Sequence, residues 1–182
     1  PFQMSGKNVI YGFYRQNTHK IIQVDECNIE DKIAAKILKN IAKLMDSMRI
    51  LAYNEDQRSG VIRHVLIRTS LTNGDVMVVL VTNCLTFQNR NNFVKEIVKN
   101  NPQVKTVVQN INLRDTNVIL GEKENVLYGK GYIEDEIMGV KFHISSKSYF
   151  QVNPIQTEKL YKYAIDCANI NKQDVVLDAY AG

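Results

Sequence analysis

The sequence has few residues that could cross-link the chain, and it lacks the long apolar runs that cross membranes. Its three cysteines, Cys27, Cys84 and Cys167, are odd in number and far apart, which argues against a disulfide framework. No apolar run reaches the length of a membrane span, and residues 1–5 lack the layout of a signal peptide. There is no internal repeat of solenoid length and no low-complexity tract. These absences favour a protein of the reducing cytoplasm.

Size and charge bound the class of protein. The chain has 182 residues, of which 45% are hydrophobic, so it can bury the core of one domain and the start of another. Its net charge of +4 permits a nucleic-acid partner without demanding one, since dedicated nucleic-acid binders are usually more basic. Proline stands at position 1 in place of a starting methionine, and we therefore expect a chain truncated from a longer protein.

Hydrophobic periodicity predicts a central α+β domain in residues 1–144. Helices are predicted at residues 31–48, where apolar residues recur on one face, and at residues 89–100. Strands are predicted at residues 9–15, 20–24, 61–68, 76–82, 104–111, 118–120, 125–128, 131–134 and 137–144. The order of these elements between residues 20 and 111 is that of a ferredoxin-like split βαβ unit.

Two glycine-containing turns refine this prediction. Asn73-Gly74 is a strong hairpin signal between two strands, and the second strand is apolar throughout, which predicts a central place in its sheet. Gly129-Lys-Gly131 lacks the serine or threonine and the helix that follow a phosphate-binding loop. It is therefore interpreted as a second hairpin.

Residues 145–182 have the pattern that opens a Rossmann-like domain. Pro154 suits the first position of a helix, and residues 156–170 have helical periodicity. The apolar run at residues 175–177 suits a parallel strand buried on both faces, and it leads into Asp178 and then Gly182. An acidic residue and a glycine turn after such a strand begin the cofactor crevice of an open α/β sheet. Many buried strands also end in turns, so this ending by itself is weak support for a cofactor site.

Three motifs in this region carry a resemblance to a known family. They are Phe150-Gln-Val-Asn153, Gln156-Thr-Glu-Lys-Leu-Tyr161 and Val176-Leu-Asp-Ala-Tyr180 with Gly182. Together they resemble the signature of the S-adenosylmethionine-dependent RNA uracil-C5 methyltransferases. Gly12-Phe-Tyr-Arg15 with His19, followed by Cys27, resembles the segment around the last iron–sulfur cysteine of the ribosomal-RNA branch, which makes that branch the nearer one. Ala181 departs from the cysteine that many members have there, but that cysteine is not the nucleophile.

The resemblance implies an activity and a set of site residues. The implied reaction transfers a methyl group from S-adenosylmethionine to C5 of a uridine in ribosomal RNA. Gln151 and Tyr180 would contact the cofactor, and Gly182 would let the backbone approach it, while Asp178 would hold the loop or attract the cationic end of the cofactor. Tyr149 would lie at the pocket of the target base. The family's nucleophilic cysteine and its carboxylate base are expected beyond Gly182, so the chain alone is expected to be inactive.

For several of these residues a structural interpretation stays open. Tyr149 and Phe150 could be core residues, and Cys27 could be a buried free thiol rather than an orphaned iron–sulfur ligand. An iron–sulfur cluster needs three more thiolates, so no cluster is expected in this chain, although a cluster is possible in the parent protein. Four basic residues that could contact RNA or form a solvated face are Arg58, Arg63, His64 and Arg68.

Two other functions compete with the ribosomal-RNA enzyme, namely a transfer-RNA uracil-C5 methyltransferase and a non-catalytic RNA-binding module.

A further expectation concerns residues 154–182. Their apolar surfaces would be covered by later elements of the parent protein, so in this chain they are expected to be mobile or to pack against a second copy.

Overall fold

The computed structural model of the protein describes residues 1–24, 31–115, 117–177 and 179. The chain opens with an antiparallel sheet of β1 (Phe2–Ser5), β2 (Asn8–Tyr14) and β3 (Ile21–Gln23), in that order. The strands predicted at residues 9–15 and 20–24 are confirmed. β1 was not predicted from the sequence.

Helix α1 (Lys32–Met48) confirms the helix predicted at residues 31–48. Asp31 caps its first turn, because a carboxylate oxygen accepts a hydrogen bond from the backbone N–H of Ile33 at 2.8 Å. Ile37, Ile41 and Met45 recur every four residues on one face and are fully buried. The helix thus folds on local signals and is held in place by its apolar face.

A four-stranded mixed sheet forms the centre of the fold, in the order β4-β5-β6-β7. Its elements are β4 (Ile62–Thr69), β5 (Val76–Thr82), helix α2 (Arg90–Asn100), β6 (Val104–Ile111) and β7 (Lys123–Tyr128). All seven residues of β5 are buried, which confirms its predicted central position. The Asn73-Gly74 hairpin is confirmed as well: β4 and β5 are antiparallel, and Gly74 has a φ of +74°, which glycine adopts without strain.

The predicted mixed α/β class is confirmed. The strand order, however, is not that of the predicted ferredoxin-like split unit, because β3 lies outside the central sheet. In a split unit another strand lies between the two parallel strands, whereas here β5 and β6 are direct parallel neighbours. β3 pairs with β2 instead. The reason is the short connection between β2 and β3, which favours an antiparallel hairpin between these two strands. At this position none of the three residues of β3 is buried.

A two-stranded ribbon of β8 (Tyr132–Ile137) and β9 (Val140–Ser145) follows the central sheet. Its hairpin turn is Met138-Gly139, in which both residues have positive φ, 51° and 80°. The hairpin predicted at Gly129-Lys-Gly131 is wrong, because β7 pairs with β6 and β8 pairs with β9. Residues 118–120 are not a strand either: the amide of Asn112 binds the carbonyl oxygens of Val118 and Ile119.

The core has two layers, one on each face of the central sheet. Along β5 the buried side chains alternate between the layers, as the period of two of a strand requires. Val76, Val78 and Leu80 pack with the helices, and Met77 and Val79 pack with Ile133 and Ile144 of the ribbon. Among the described residues, no helix combines the length and the hydropathy that a bilayer crossing needs.

Asp135 fastens the ribbon to the turn between β4 and β5. It is buried, and its carboxylate accepts hydrogen bonds from the backbone N–H groups of Leu71 and Thr72 and from the Thr72 hydroxyl, at 2.7 to 3.1 Å. Burial by itself would raise the pKa of Asp135, but these bonds and one from the backbone of Glu136 lower it below its ordinary value of 3.8. The ionised form is therefore the one that stabilises the fold.

We expect Asp135→Asn to lower the free energy of unfolding at pH 6 by about 1.5–3 kcal/mol, the usual contribution of hydrogen bonds to a charged group. Since the folded-state pKa is depressed, this stabilisation is complete above the ordinary value of 3.8 and is lost as the pH falls through the lower, folded-state pKa. Urea unfolding at pH 6 and pH 3 measures it. The exposed Asp166→Asn is the control, and a difference from the natural protein that does not shrink at pH 3 would contradict the assignment.

Candidate functional site

The loop of residues 145–153, which carries Tyr149 and Gln151, is bound to the central sheet near its beginning. Ser146 is 1% exposed, and its hydroxyl donates a hydrogen bond to Glu124 Oε1 at 2.6 Å. Its carbonyl oxygen accepts a hydrogen bond from Arg68 Nη2 at 3.1 Å. Arg68 lies on β4 and Glu124 on β7, the two edge strands, so Ser146 is connected to both edges of the sheet.

The partners of Ser146 are themselves held in place. Glu124 Oε1 also accepts a hydrogen bond from the amide of Asn110, which is fully buried, at 2.8 Å. Burial lowers the pKa of the Arg68 guanidinium. Buried polar groups of this kind hold a geometry strongly, because losing any one partner leaves another unsatisfied.

Beyond this attachment, neighbouring side chains of the loop point in opposite directions. Phe150 packs on the core layer under the ribbon, and its ring centroid lies 5.8 Å from that of Phe142. Tyr149, one residue earlier, is 87% exposed. Gln151 is half-buried, and its amide makes no hydrogen bond within the part of the chain that the structure describes. The loop therefore presents an aromatic ring and a free amide beside a fixed Phe150.

Helix α3 (Pro154–Ala168) follows the loop directly and confirms the predicted helix, with Pro154 in its first turn. The side chain of Asn153 accepts a hydrogen bond from the backbone N–H of Gln156 at 3.1 Å, which caps the helix. Glu158 accepts one from the backbone N–H of Met138 at 2.9 Å, which attaches α3 to the turn of the ribbon. The loop is thus held at both ends.

The apolar residues of α3 and of the segment after it are exposed. Leu160 is 61% exposed, and Thr157 is the one buried residue among those described in the helix. Residues 175–177, predicted as a buried strand, are not a strand, and their side chains are 97%, 64% and 88% exposed. The reason is that a strand needs a partner, and no strand pairs with this segment among the described residues. Packing of the segment against a second copy stays a prediction.

Four of the predicted site residues cannot be placed. Asp178, Tyr180 and Gly182, predicted at the cofactor, lie outside the described residues, and so does Cys27. Of the predicted cofactor and base contacts, the structure describes Tyr149 and Gln151, which lie on the same loop.

The chain is similar to RNA methyltransferases. It is 45% identical over 175 residues to an uncharacterized RNA methyltransferase of Oceanobacillus iheyensis. The matched region covers 96% of this chain and 38% of the relative. It is also 45% identical over 171 residues to one of Clostridium acetobutylicum, covering 94% of this chain and 37% of the relative. The chain thus spans less than two fifths of the length of these curated relatives. No family model matches it.

A solved structure shares the fold. The crystal structure of Pyrococcus abyssi tRNA (uracil-54, C5)-methyltransferase in complex with S-adenosyl-L-homocysteine matches with a TM-score of 0.68 and 21% identity. The match covers 91% of this chain and 39% of that one. The two proteins therefore share a fold over nearly the whole of this chain.

The basic residues of β4 and the loop before it do not form one solvated face. Arg63 is 3% exposed; it binds both oxygens of Glu55 and the carbonyl oxygens of Asn112 and Arg114. Burial and the nearby charge of Arg63 lower the pKa of His64 below its ordinary value of 6.5, so it is neutral at pH 7. Arg63 is therefore unavailable to RNA, and His64 is half-buried and uncharged. Arg58 is exposed and paired with Asp115.

The described cysteines show no sign of metal or redox chemistry. Burial raises the pKa of the Cys84 thiol, which disfavours the reactive thiolate, and Cys167 is exposed on α3. No group of three or more metal-ligating side chains occurs among the described residues.

Sequence reasoning missed the contributions of Ser146 and Glu124 to this site, and it considered Arg68 only as an RNA contact or a solvated residue. They are distant in sequence, and none belongs to a recognisable motif. The one available signal was the position of Ser146 just before the aromatic pair.

Proposed function

We propose that the protein is an S-adenosylmethionine-dependent RNA methyltransferase that transfers a methyl group to C5 of a uridine. The observation that carries this proposal is the similarity over 96% of the chain to proteins named RNA methyltransferases. The fold likeness to a uracil-C5 methyltransferase and the exposed Tyr149 beside a free Gln151 amide support it. The proposed domain boundary is at Ser145, and the proposed place of action is the cytoplasm.

Each described residue of the loop has a role in this proposal. Bound S-adenosylmethionine supplies the methyl group from a cationic sulfonium. The Gln151 amide, which has no described partner, hydrogen-bonds the cofactor. Tyr149 holds the target base by stacking once the base has left its own stack. Phe150 and Ser146 keep these two side chains in place.

The remaining parts of the site lie outside the described residues or outside the chain. In this proposal Asp178, Tyr180 and Gly182 complete the cofactor crevice. The cysteine nucleophile and the carboxylate base belong to the part of the full-length protein that follows Gly182. For an iron–sulfur cluster, the described residues offer no ligand set. Cys27 would contribute one thiolate, and a cluster in the full-length protein would need three more from outside this chain.

We expect Gln151→Ala to weaken S-adenosylmethionine binding to the full-length protein by about 1–3 kcal/mol, the cost of leaving buried polar groups unpaired. Isothermal titration calorimetry measures the dissociation constant. Gln156→Ala removes the same amide from an exposed position in the first turn of α3 and serves as the control. Unchanged affinity in Gln151→Ala would remove this residue from the site.

The proposed activity is tested by methyl transfer from radiolabelled S-adenosylmethionine to defined RNA. The proposed substrate is ribosomal RNA. Transfer RNA is the second candidate, because the matching solved structure is a tRNA methyltransferase. The full-length protein is incubated with unmodified transcripts of each, and the product is digested to identify 5-methyluridine. Binding of RNA without any transfer would favour a non-catalytic RNA-binding module.

A further inference from the structure

A cleft of about 550 Å³ opens beside the loop between β2 and β3. Residues 14–20 form most of its wall, and Asp56 closes it from the neighbouring loop. Three of the wall residues, Arg15, His19 and Lys20, are basic and exposed. The cleft is therefore open to solvent and richer in positive than in negative groups.

Arg15 and Lys20 face each other across the hairpin. Tyr14 pairs with Ile21 in the last register position of β2 and β3, and the backbone N–H of Arg15 donates to the carbonyl of Lys20 at 2.8 Å. Like charges directly opposite each other on two strands destabilise the pairing. Neither side chain makes an ion pair with another described residue. The fold thus holds two uncompensated cations close together.

The acidic residues described near the cleft already have partners. Asp56 lies 2.8 Å from Nδ1 of His19. Both carboxylate oxygens of Glu55 are bound by Arg63. Within the described ranges no unpaired carboxylate is left to face Arg15 and Lys20, so an anion bound from outside would relieve their repulsion.

The loop that carries these cations is already ordered. The backbone N–H and the hydroxyl of Thr18 both donate to the carbonyl of Arg15 at 3.0 Å, and the Thr18 hydroxyl accepts from the backbone N–H of Lys20. Asn17 takes the left-handed conformation that the turn requires, with a φ of 57°. Binding of an anion would need little further ordering, which favours affinity.

Tyr14 adds a hydrogen-bond donor to the wall. Burial and the negative charge of Glu55 raise its pKa to about 12, so the hydroxyl keeps its proton at neutral pH. Its ring meets that of His19 edge-on, with centroids 5.8 Å apart. The wall thus combines two cations with a neutral donor.

We propose that this cleft binds a phosphodiester group of an RNA strand, with Arg15 and Lys20 as its charged contacts. The choice of RNA as the source of the phosphate rests on the proposed function. The contact is made to the backbone, so it positions the strand without reading its sequence.

The test compares two double variants of the chain that lose the same charge. Arg15→Ala with Lys20→Ala removes the cations of the cleft, and Lys99→Ala with Lys162→Ala removes two exposed cations elsewhere. Affinity for a fluorescein-labelled single-stranded RNA is measured by anisotropy at several salt concentrations. We expect the first variant to bind about tenfold more weakly and to lose about 0.7 from the slope of log affinity against log salt, the value for one phosphate. The second variant should bind nearly as the natural chain does.

Thermal unfolding separates loss of the site from loss of the fold. Because it removes a repulsive pair, the cleft variant should unfold at a temperature no lower than that of the natural chain. Equal weakening in both variants, unchanged affinity in the cleft variant, or no RNA binding by the natural chain would each overturn the proposal. Stabilisation by inorganic phosphate without RNA binding would assign the cleft to a free anion and overturn it too.

The outcome is independent of the methyl-transfer test. Full RNA affinity in the cleft variant, together with methyl transfer by the full-length protein, would reject the cleft and keep the function. RNA binding through the cleft without methyl transfer by the full-length protein would keep the cleft and reject the proposed function.

Discussion

Replacing Glu55 with alanine is expected to lower the free energy of unfolding by about 3–5 kcal/mol, because it leaves a buried charge without its partner. The side chain of Arg63 is 2% exposed and that of Glu55 is 17% exposed, and their closest atoms are 2.8 Å apart. The Arg63 guanidinium also lies 4.7 Å from the centre of the Tyr53 ring. Without Glu55, two backbone carbonyls and this ring would be left to hold a full positive charge. Urea unfolding at pH 7 measures the change.

The matched control is Asp115→Ala, which also removes a carboxylate from an arginine. The Arg58–Asp115 pair is exposed, with side chains 69% and 65% accessible. Exposed ion pairs contribute little, so we expect a change below about 1 kcal/mol. Similar losses in the two variants would show that burial does not set the strength of the Glu55–Arg63 pair.

The second large effect is expected for Phe150→Ala in the full-length protein. Phe150 is the residue of the loop that packs on the core, between the exposed Tyr149 and the half-buried Gln151. Without its ring, both neighbours lose their fixed position relative to the sheet. Displacement of reacting groups by about 1 Å can cost on the order of 100-fold in rate, and we expect a loss of that size in single-turnover methyl transfer. This expectation rests on the proposed function.

Val152→Ala is the control from the same loop, since Val152 is 100% exposed and its loss should leave the rate unchanged. Hydrogen exchange of residues 147–153 gives a readout that does not depend on activity. We expect faster exchange in Phe150→Ala and no change in Val152→Ala. A normal rate combined with faster exchange would show that the position of this loop does not limit the reaction.

Short-range chemistry made a large part of the fold predictable from the sequence. The apolar face of α1, the Asn73-Gly74 turn, the uniformly apolar β5 and Pro154 before α3 each act within a few residues, and each prediction is confirmed. The loop motif of residues 150–153 is equally local. Together with the motifs after it, this loop indicated an RNA methyltransferase, which is also what the names of the relatives say.

Tertiary structure decided which of these elements pair and which charges are buried. β3 pairs with β2 across a short hairpin and stays outside the central sheet, and the turn after β7 leads into a separate ribbon. Arg63 is buried because Glu55 and two distant carbonyls surround it, and Ser146 holds the loop through strands at opposite edges of the sheet. These partners lie up to 78 residues apart along the chain. A periodic pattern reports which face of an element is apolar, whereas the choice of partner depends on contacts that form only when the whole chain has folded.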